Sequence, residues 1–476
     1  MSTTHAAPPA PPATTKLTGI IGSLALAAFL MILNETVLSV ALPAIMEDLQ
    51  VSAAAGQWLT TGFLLTMSVL IPLTGYLIQR FRTRTLFAFA LLSFIIGTLI
   101  AFLAPSFAVL LIARIIQAVG TAIIMPLLMT TTLQLVPRER RGTVMGLNSI
   151  VISVGPAVGP TVSGAIVNAF SWNAIFLIML PLAAVILVAG LIFIRVPDAT
   201  RRTPVDIASV ILSALAFGLL VYGISSLEHA VDNLTMTIAS FLIGLVALGL
   251  FIRRQLRLTR EGRELLNLSP FTNRSFTLSV LLIMIGMGTL LGTLMMLPII
   301  LESGAGHSTL AIGLMLLPGG LAQAISAPIF GRVFDRHGPR PVLIPGAILL
   351  AAGQWLYLTV NAETPLWTFG AIHVVFSIGM ALLMTGLMSS ALSTVPPQHY
   401  GHGSAIFTTA QQLGGAIGTT MFVTIFSMLS ARQLTAGEQA TAALFDGAHS
   451  AFIVGAIITT AAIAIAPLIT LKRQSR

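Results

Sequence analysis

The sequence predicts an all-α integral membrane protein with fourteen transmembrane helices. The chain is 56% hydrophobic and only 8% charged, which is more apolar surface than a soluble fold can bury. Its apolar runs reach the ~20 residues that an α-helix needs to cross a bilayer. In lipid each spanning segment must satisfy its own backbone hydrogen bonds, and these runs are too long for barrel strands. The runs are therefore interpreted as helices.

The predicted elements follow one another closely along the chain. Residues 1–16 are rich in Pro, Ala and Thr, and we expect a disordered tail there. This tail lacks the features of a cleaved signal peptide, so we expect span 1 to remain in the mature protein. The fourteen spans are predicted at residues 18–44, 57–78, 84–104, 107–132, 142–167, 172–194, 205–227, 234–252, 276–300, 309–331, 341–360, 366–392, 403–429 and 449–471.

Basic residues fall on alternate loops between the spans. Arg253, Arg254 and Arg257, for example, follow span 8, whereas the other set of loops holds only Arg432. By the positive-inside rule both termini are cytoplasmic and the protein is a multi-pass protein of the cytoplasmic (inner) membrane. The net charge of +9 then indicates contact with anionic lipid headgroups and does not imply nucleic acid.

Several function classes lack their sequence signatures. There is no cysteine, which excludes disulfides and thiolate metal sites. No P-loop, HExxH or GxSxG pattern occurs, so neither ATP nor enzyme chemistry is indicated. His399 and His402 are close in sequence but are predicted to lie on a cytoplasmic loop, where a metal site is not favoured. We predict no cofactor, no metal and no enzymatic activity.

A repeat in two loops predicts the domain organisation. Gly75, Arg80 and Arg84 follow span 2, and Gly331, Arg336 and Arg340 follow span 10 at a constant offset of 256 residues. We therefore predict a six-helix bundle over 17–196, two inserted helices over 204–254 and a second six-helix bundle over 270–472. Parallel six-helix repeats suit a transporter that rocks about a central site. The alternative is that both are ordinary basic loops.

Five segments carry a family resemblance: Leu33–Pro43, Gly75–Arg84, Arg114–Gly120, Gly155–Pro160 and Gln412–Gly418. In these segments the chain resembles the fourteen-helix drug:proton antiporter branch of the major facilitator superfamily, and within it the lincomycin-resistance-type multidrug efflux proteins. The resemblance implies a major facilitator fold of two six-helix bundles plus two inserted helices, and export coupled to protons.

The chain departs from the branch at positions that matter for coupling and gating. Asn34 stands where the branch often has Asp, and the acid is displaced by one residue to Glu35. Gln79 stands where the first loop motif has Asp, which puts the salt bridge of this loop in doubt. Asp335 retains the acid in the second loop, where we expect the salt bridge to be kept.

Glu35 and Arg114 are the candidate proton-coupling residues, together with Asn34. Glu35 is ~14 Å and Arg114 ~10 Å from the predicted outer ends of their spans, at helical rise. An ionised side chain facing lipid costs at least ~2.5–3.5 kcal/mol, so both should face the bundle interior and find partners. We hypothesise that Glu35 carries the proton and that Arg114 tunes it. The alternative is a static ion pair that fixes helix packing.

Two further motifs are predicted to shape contacts between the halves. The loop with Gly75, Arg80 and Arg84 is predicted to close the cytoplasmic side, with Asp335 and Arg336 in the second loop; the alternative is topological charge alone. In span 5, small residues four apart allow close helix approach and a proline bends the helix. We expect that face to pack between the halves and limit leakage, and its residues are Gly155, Pro156 and Gly159.

A substrate cavity is expected between the halves, with buried amides and adaptable apolar side chains in its wall. Packing or lipid contact is the alternative for each residue. The candidates are Gln117, Asn148, Gln323, Gln411, Gln412, Phe407 and Met384.

The remaining acids receive simpler interpretations. Asp206 is predicted to start span 7 as a helix cap. Acidic residues assigned to solvated outer loops are Glu228, Glu302, Glu363, Glu438 and Asp446. For Glu228, at the outer end of span 7, the alternative is that it helps to admit protons or cationic substrate.

Taken together, these features predict a monomeric proton-coupled antiporter that exports lipophilic drugs or antibiotics by alternating access, with lipophilic substrates, protons and membrane lipids as partners. Two alternatives stay open. One is a dedicated exporter of a metabolite, lipid or siderophore, and the other is a transport-dead scaffold or sensor.

Overall fold

The computed structural model describes residues 14–196, 204–226 and 230–470. Fourteen long α-helices and no strand occur within these ranges, which confirms the all-α prediction. Over the described residues, thirteen helices are apolar and long enough to span a membrane. The helices are α1 Thr14–Asp48, α2 Ala53–Arg80, α3 Thr83–Phe102, α4 Phe107–Leu135, α5 Arg141–Ala169, α6 Asn173–Phe193, α7 Ile207–Ser225, α8 Ala230–Thr259, α9 Arg274–Ile299, α10 Thr309–His337, α11 Arg340–Leu356, α12 Leu366–Ser393, α13 Tyr400–Thr435 and α14 Ala440–Ile465.

Several helices extend further than the apolar runs from which they were predicted. Arg253, Arg254 and Arg257 lie on α8 and not in a loop after it. Asp446 lies on α14, so its assignment to an outer loop was wrong. His402 is buried in the first turn of α13, not in a loop. Hydropathy marks where apolar sequence ends, whereas a helix continues into water as long as its backbone hydrogen bonds do.

The inserted helices α7 and α8 form a hairpin fixed by the predicted cap. Asp206 accepts hydrogen bonds from the backbone and side chain of Ser209 at the start of α7, as expected for a helix cap. Arg254 of α8 donates two hydrogen bonds of 2.7 Å to the same carboxylate. These hydrogen bonds from Arg254 hold the pKa of Asp206 well below its usual range. Buried Gln255 joins this hairpin to the following segment by accepting from the backbone of Leu265.

Helices α3–α4 and α11–α12 are packed in the same way. Gly97 of α3 lies against Gln117 of α4, and Gly353 of α11 lies against Phe376 of α12. The offset is 256 residues from α3 to α11 and 259 residues from α4 to α12. The periodicity seen in two loops therefore continues through these helices.

A second pair of contacts obeys the same offsets. Gly120 of α4 packs against the backbone of Ala90 in α3, and Gly379 of α12 packs against the backbone of Gly346 in α11. A methyl group at either α4 or α12 position would overlap backbone atoms, so glycine permits this helix spacing.

The halves meet where the basic loops lie, which we call the basic end of the bundle. There α5 contacts α10, and α2 contacts α13. The other end of the bundle, which carries the α1–α2 and α13–α14 connections, we call the outer end. The prediction that the basic end faces the cytoplasm stays a prediction.

Candidate transport site and gate

The N-terminal half contains a buried polar cluster on α1, α3 and α4. Gln117 accepts hydrogen bonds at one oxygen from Asn34 (3.3 Å) and from Arg114 (3.0 Å). Its amide nitrogen donates to the hydroxyl of Thr98 at 2.9 Å. Asn34, Gln117, Thr98 and Arg114 are all buried. The cluster thus joins three helices around one guanidinium.

Arg114 is held by an aromatic ring as well as by an amide. Its guanidinium carbon lies 4.2 Å from the centre of the Phe63 ring of α2, a distance at which a cation–π attraction operates. Its side chain is 1% exposed, and its Nε has no hydrogen-bond partner in the described part of the chain. This confirms that the arginine faces the interior and finds partners.

Glu35 lies beside the cluster without being bonded to it. Its side chain is half-buried, is close enough to Arg114 for a coulombic interaction, and makes no ion pair within the described ranges. One helical step rotates a side chain by about 100°, so with Asn34 directed at Gln117, Glu35 points elsewhere. The alternative of a static Glu35–Arg114 ion pair is wrong for this conformation. Proton coupling through Glu35 stays a prediction.

The glycines of the α5 motif do not pack between the halves. Gly155 lies against Ile32 and Gly159 against Thr36, both on α1 of the same half. The Thr36 hydroxyl donates to the Gly155 carbonyl at 3.3 Å. Small residues four apart do allow close approach, but the neighbour is α1, so the expected contact between halves was wrong. The Pro156 side chain lies outside the described part.

Contact between the halves at the basic end depends on Asp335 of α10. Its carboxylate accepts from the backbone nitrogens of Gly142 (2.6 Å) and Thr143 (2.8 Å) and from the Thr143 hydroxyl (2.6 Å). These are free N–H groups in the first turn of α5, where negative charge is favoured. Asp335 therefore caps a helix of the other half, and the salt bridge expected of it is absent among the described residues.

The backbones beside this cap are in direct contact. A side-chain carbon on Gly331 of α10 would overlap the carbonyl of Gly142 in α5, and one on Gly146 of α5 would overlap the carbonyl of Ala327 in α10. We call this region, formed by Asp335, Gly331, Gly142, Thr143 and Gly146, the α5–α10 closure.

The second contact, the α2–α13 closure, is formed by Gly75, Gln79, Gln398, Gly401 and His402. The Gln79 amide donates to the Gln398 carbonyl at 3.0 Å. Gly75 packs against the ring and backbone of His402, and Gly401 packs against the carbonyl of Gly75.

The predicted gating arginines lie at the edge of these closures. Arg80 stacks near its neighbour Phe81, with 5.9 Å from guanidinium carbon to ring centre. Arg84 and Arg336 are exposed. Their part in gating stays a prediction.

Arg141 links the two closures, and sequence reasoning missed it. The side chain is 9% exposed and donates to the Tyr400 hydroxyl at 3.1 Å, and to the carbonyls of Leu133 and Val136 at the end of α4. Arg141 and Tyr400 begin α5 and α13 and are separated by 259 residues. The repeat could have found this pair, had it been extended from the loops into the helices.

The predicted substrate residues are separated into several places. Gln117 belongs to the Arg114 cluster, and Asn148 donates to Thr132 within the N-terminal half. Gln411 and Met384 are brought together, with 3.6 Å between amide nitrogen and sulfur. Gln412 reaches Met67 of the other half at 3.6 Å. Gln323 and Phe407 are also buried.

Further contacts cross between α4 and α13. The Thr130 hydroxyl donates to Ser404 at 3.1 Å, and the Thr408 hydroxyl donates to the Met129 sulfur at 3.7 Å. Polar hydroxyls, amides and thioethers thus line the region between the halves. In the described part of the chain the buried hydroxyls of Thr385, Ser389 and Thr409 have no partner.

A separate apolar cavity of about 190 Å³ lies between the inserted helices and the C-terminal half. Phe251 of α8, Val280 and Met284 of α9, and Leu413 of α13 are among its lining residues. Its lining is almost entirely carbon, so it suits an apolar group.

Comparison with known proteins agrees with this architecture. The Major Facilitator Superfamily pattern matches residues 24–419. The chain belongs to the Major Facilitator Superfamily. It is 38% identical to the lincomycin resistance protein LmrB of Listeria monocytogenes over 444 residues, covering 92% of this chain and 94% of that protein. It is 36% identical to LmrB of Bacillus subtilis over 414 residues, covering 87% and 86%.

A solved structure shares the fold despite a remote sequence. The human organic anion transporter MFSD10 matches with a TM-score of 0.67 at 14% identity, covering 94% of this chain and 98% of that one. At that identity the likeness shows the fold alone.

Proposed function

We propose that this superfamily transporter exports lipophilic drugs or antibiotics from the cytoplasm in exchange for protons. The observation that carries the proposal is the half-buried carboxyl of Glu35, which forms no ion pair with any described residue and lies beside the buried guanidinium of Arg114. An intramembrane acid that is not neutralised by an ion pair is available to take up and release a proton. The relatives named for lincomycin resistance support the export of lipophilic antibiotics.

The closures favour a simple cycle. With the basic end closed, Glu35 takes a proton from the outer side as substrate leaves. When the α5–α10 and α2–α13 closures separate, the proton is released to the cytoplasm and substrate enters between the halves. The thioethers and amides on α12 and α13 adapt to varied apolar ligands. The proposal places a monomer in the cytoplasmic membrane with both termini inside and anionic lipids at its basic end.

The test is export by purified protein in vesicles with an imposed pH gradient. Wild type should move a lipophilic dye or lincomycin only with the gradient. Glu35→Gln should lose about tenfold or more of gradient-driven export, because an amide cannot carry the proton. Glu363→Gln is the matched control, since Glu363 is exposed on an outer loop.

Two outcomes would contradict the proposal. Gradient-driven export by Glu35→Gln equal to that of wild type would remove Glu35 from the mechanism. No export of any drug by wild-type protein would leave a dedicated metabolite exporter or a scaffold as the better interpretation.

A further inference from the structure

The repeat places a second ionisable group at the position of Arg114 in the other half. Arg114 is the eighth residue of α4, and His373 is the eighth residue of α12. The same 259-residue offset relates Gln117 to Phe376 and Gly120 to Gly379, whose packing contacts also correspond. His373 is 4% exposed, so it is buried as Arg114 is.

The helix opposite His373 differs from its counterpart in a way that accommodates the ring. The 256-residue offset takes Phe63, which stacks on Arg114, to Gly319 of α10. A side-chain carbon on Gly319 would overlap the imidazole of His373. The glycine therefore leaves room for this ring, and the imidazole occupies space that a phenylalanine would fill.

Among the described residues, the surroundings of His373 hold one other titratable group and no charge. The His373 Nδ1 shares a 3.2 Å hydrogen bond with the hydroxyl of buried Tyr357, just beyond α11. Gly319 faces the ring from α10, and Phe376 of its own helix stacks on it at 6.2 Å. From α14, Phe452 stacks on Tyr357 at 5.0 Å. A charged imidazolium would have no counter-charge in this packing, and burying such a charge is unfavourable.

We propose that His373 is a proton-binding site of the C-terminal half, which takes up its proton when α10 and α12 separate and water reaches the ring. Histidine is the side chain whose charge changes near physiological pH, whereas arginine at the corresponding position keeps its charge. His373 lies only ~10 Å from the outer end of α12 at helical rise, so a short opening at that end would let water reach the ring. The site deepens the proposed proton-coupled function and rests on it, but its binding of protons can be measured without substrate.

The test measures the separation of α10 and α12 at the outer end as a function of pH in the absence of substrate and gradient. Because the chain has no cysteine, spin labels at Leu310→Cys and Trp367→Cys, exposed positions at the outer ends of α10 and α12, report one distance without background. In a Glu35→Gln background, we expect the separated form to gain population as pH falls below about 6.5, the ordinary pKa of histidine, by up to about tenfold per pH unit for one proton. His373→Gln should abolish this dependence.

His449→Gln is the matched control. His449 lies on α14 near the outer end, hydrogen-bonded to the Val360 carbonyl, and its loss should leave the pH dependence intact. An unchanged pH dependence in His373→Gln, or none in the Glu35→Gln background, would overturn the proposal. Should His373→Gln fail to fold, Tyr357→Phe and Gly319→Ala keep the imidazole but alter its surroundings. If the midpoint of the pH dependence is unchanged in both of these variants, the proposal is overturned as well.

This measurement separates the two proposals. Failure of drug export in vesicles with a pH-dependent distance retained would count against the proposed function and leave the His373 site standing. Export that depends on Glu35, with no pH response attributable to His373, would support the proposed function and count against the His373 site.

Discussion

The two closures at the basic end share a backbone arrangement but are held by different chemistry. In the α5–α10 closure, Asp335 accepts three hydrogen bonds from the start of α5, two of them from backbone nitrogens. In the α2–α13 closure, its repeat counterpart Gln79 donates one hydrogen bond to a carbonyl. Hydrogen bonds to a charged group are roughly twice as strong as neutral ones. Two contacts that the repeat relates to each other are thus held by hydrogen bonds of different strength.

The largest expected effect is a steric test of the α5–α10 closure. In Gly331→Ala the added methyl group meets the Gly142 backbone, which cannot rotate away. We therefore expect the closed state to be destabilised by about 1–3 kcal/mol relative to the open state. A spin-label distance between Glu139→Cys and Arg340→Cys, two exposed positions on different halves at the basic end, and thermal unfolding in detergent measure this loss. Gly75→Ala is the matched change in the α2–α13 closure, where part of the contact is a His402 side chain that can shift. Equal effects of the two would contradict the asymmetry.

The next effect separates charge from shape in the same closure. Asp335→Asn retains the size of the side chain but loses the charge-assisted bonds, and should favour the open state by about 1–3 kcal/mol. Gln79→Asp is the reciprocal change and should strengthen the α2–α13 closure by a few tenths to about 1 kcal/mol, because its acid would approach the start of α13. Cross-linking between the halves at the basic end, or the same distance measurement, reports the opening in both variants. A weaker α2–α13 closure in Gln79→Asp would show that an acid at this position does not act there as Asp335 acts in the α5–α10 closure.

The smallest effect tests whether an acidic helix cap matters outside a closure. Asp206 caps α7 and binds Arg254 within the inserted hairpin. Its pKa is lowered in the folded protein, so it stabilises above the unfolded pKa of about 3.9, and this contribution is lost as pH falls. Asp206→Asn should lower Tm by about one or two degrees at neutral pH. The difference from wild type should shrink below pH 4, with gate opening unchanged.

The fold could be predicted from the sequence because hydropathy and alternating charge are strong signals in a membrane protein. The order of all fourteen helices followed from apolar runs. The ends of α8 and α14 did not, because helices continue past lipid into water, as Arg254 and Asp446 show.

The site could be predicted in part. A charged residue within an apolar run must find a partner, which made the burial of Arg114 predictable. Its partner proved to be Gln117 and not Glu35, since helical rotation decides which of two adjacent residues faces a neighbour. Likewise, Gly155 and Gly159 indicated a close contact, but no one-dimensional pattern identifies which helix supplies it.

The hydrogen bonds of Arg141 are divided unequally between the two halves of the protein. Two of its three acceptors are carbonyls of its own half, at Leu133 and Val136, and only Tyr400 belongs to the other. Separation of the bundles would break one hydrogen bond and one cation–π contact with Tyr400, with 5.4 Å from guanidinium carbon to ring centre, while the guanidinium keeps its two bonds to carbonyls of its own half. Because only the contacts with Tyr400 are lost, we expect this part of the interface to open and close again at a small free-energy cost.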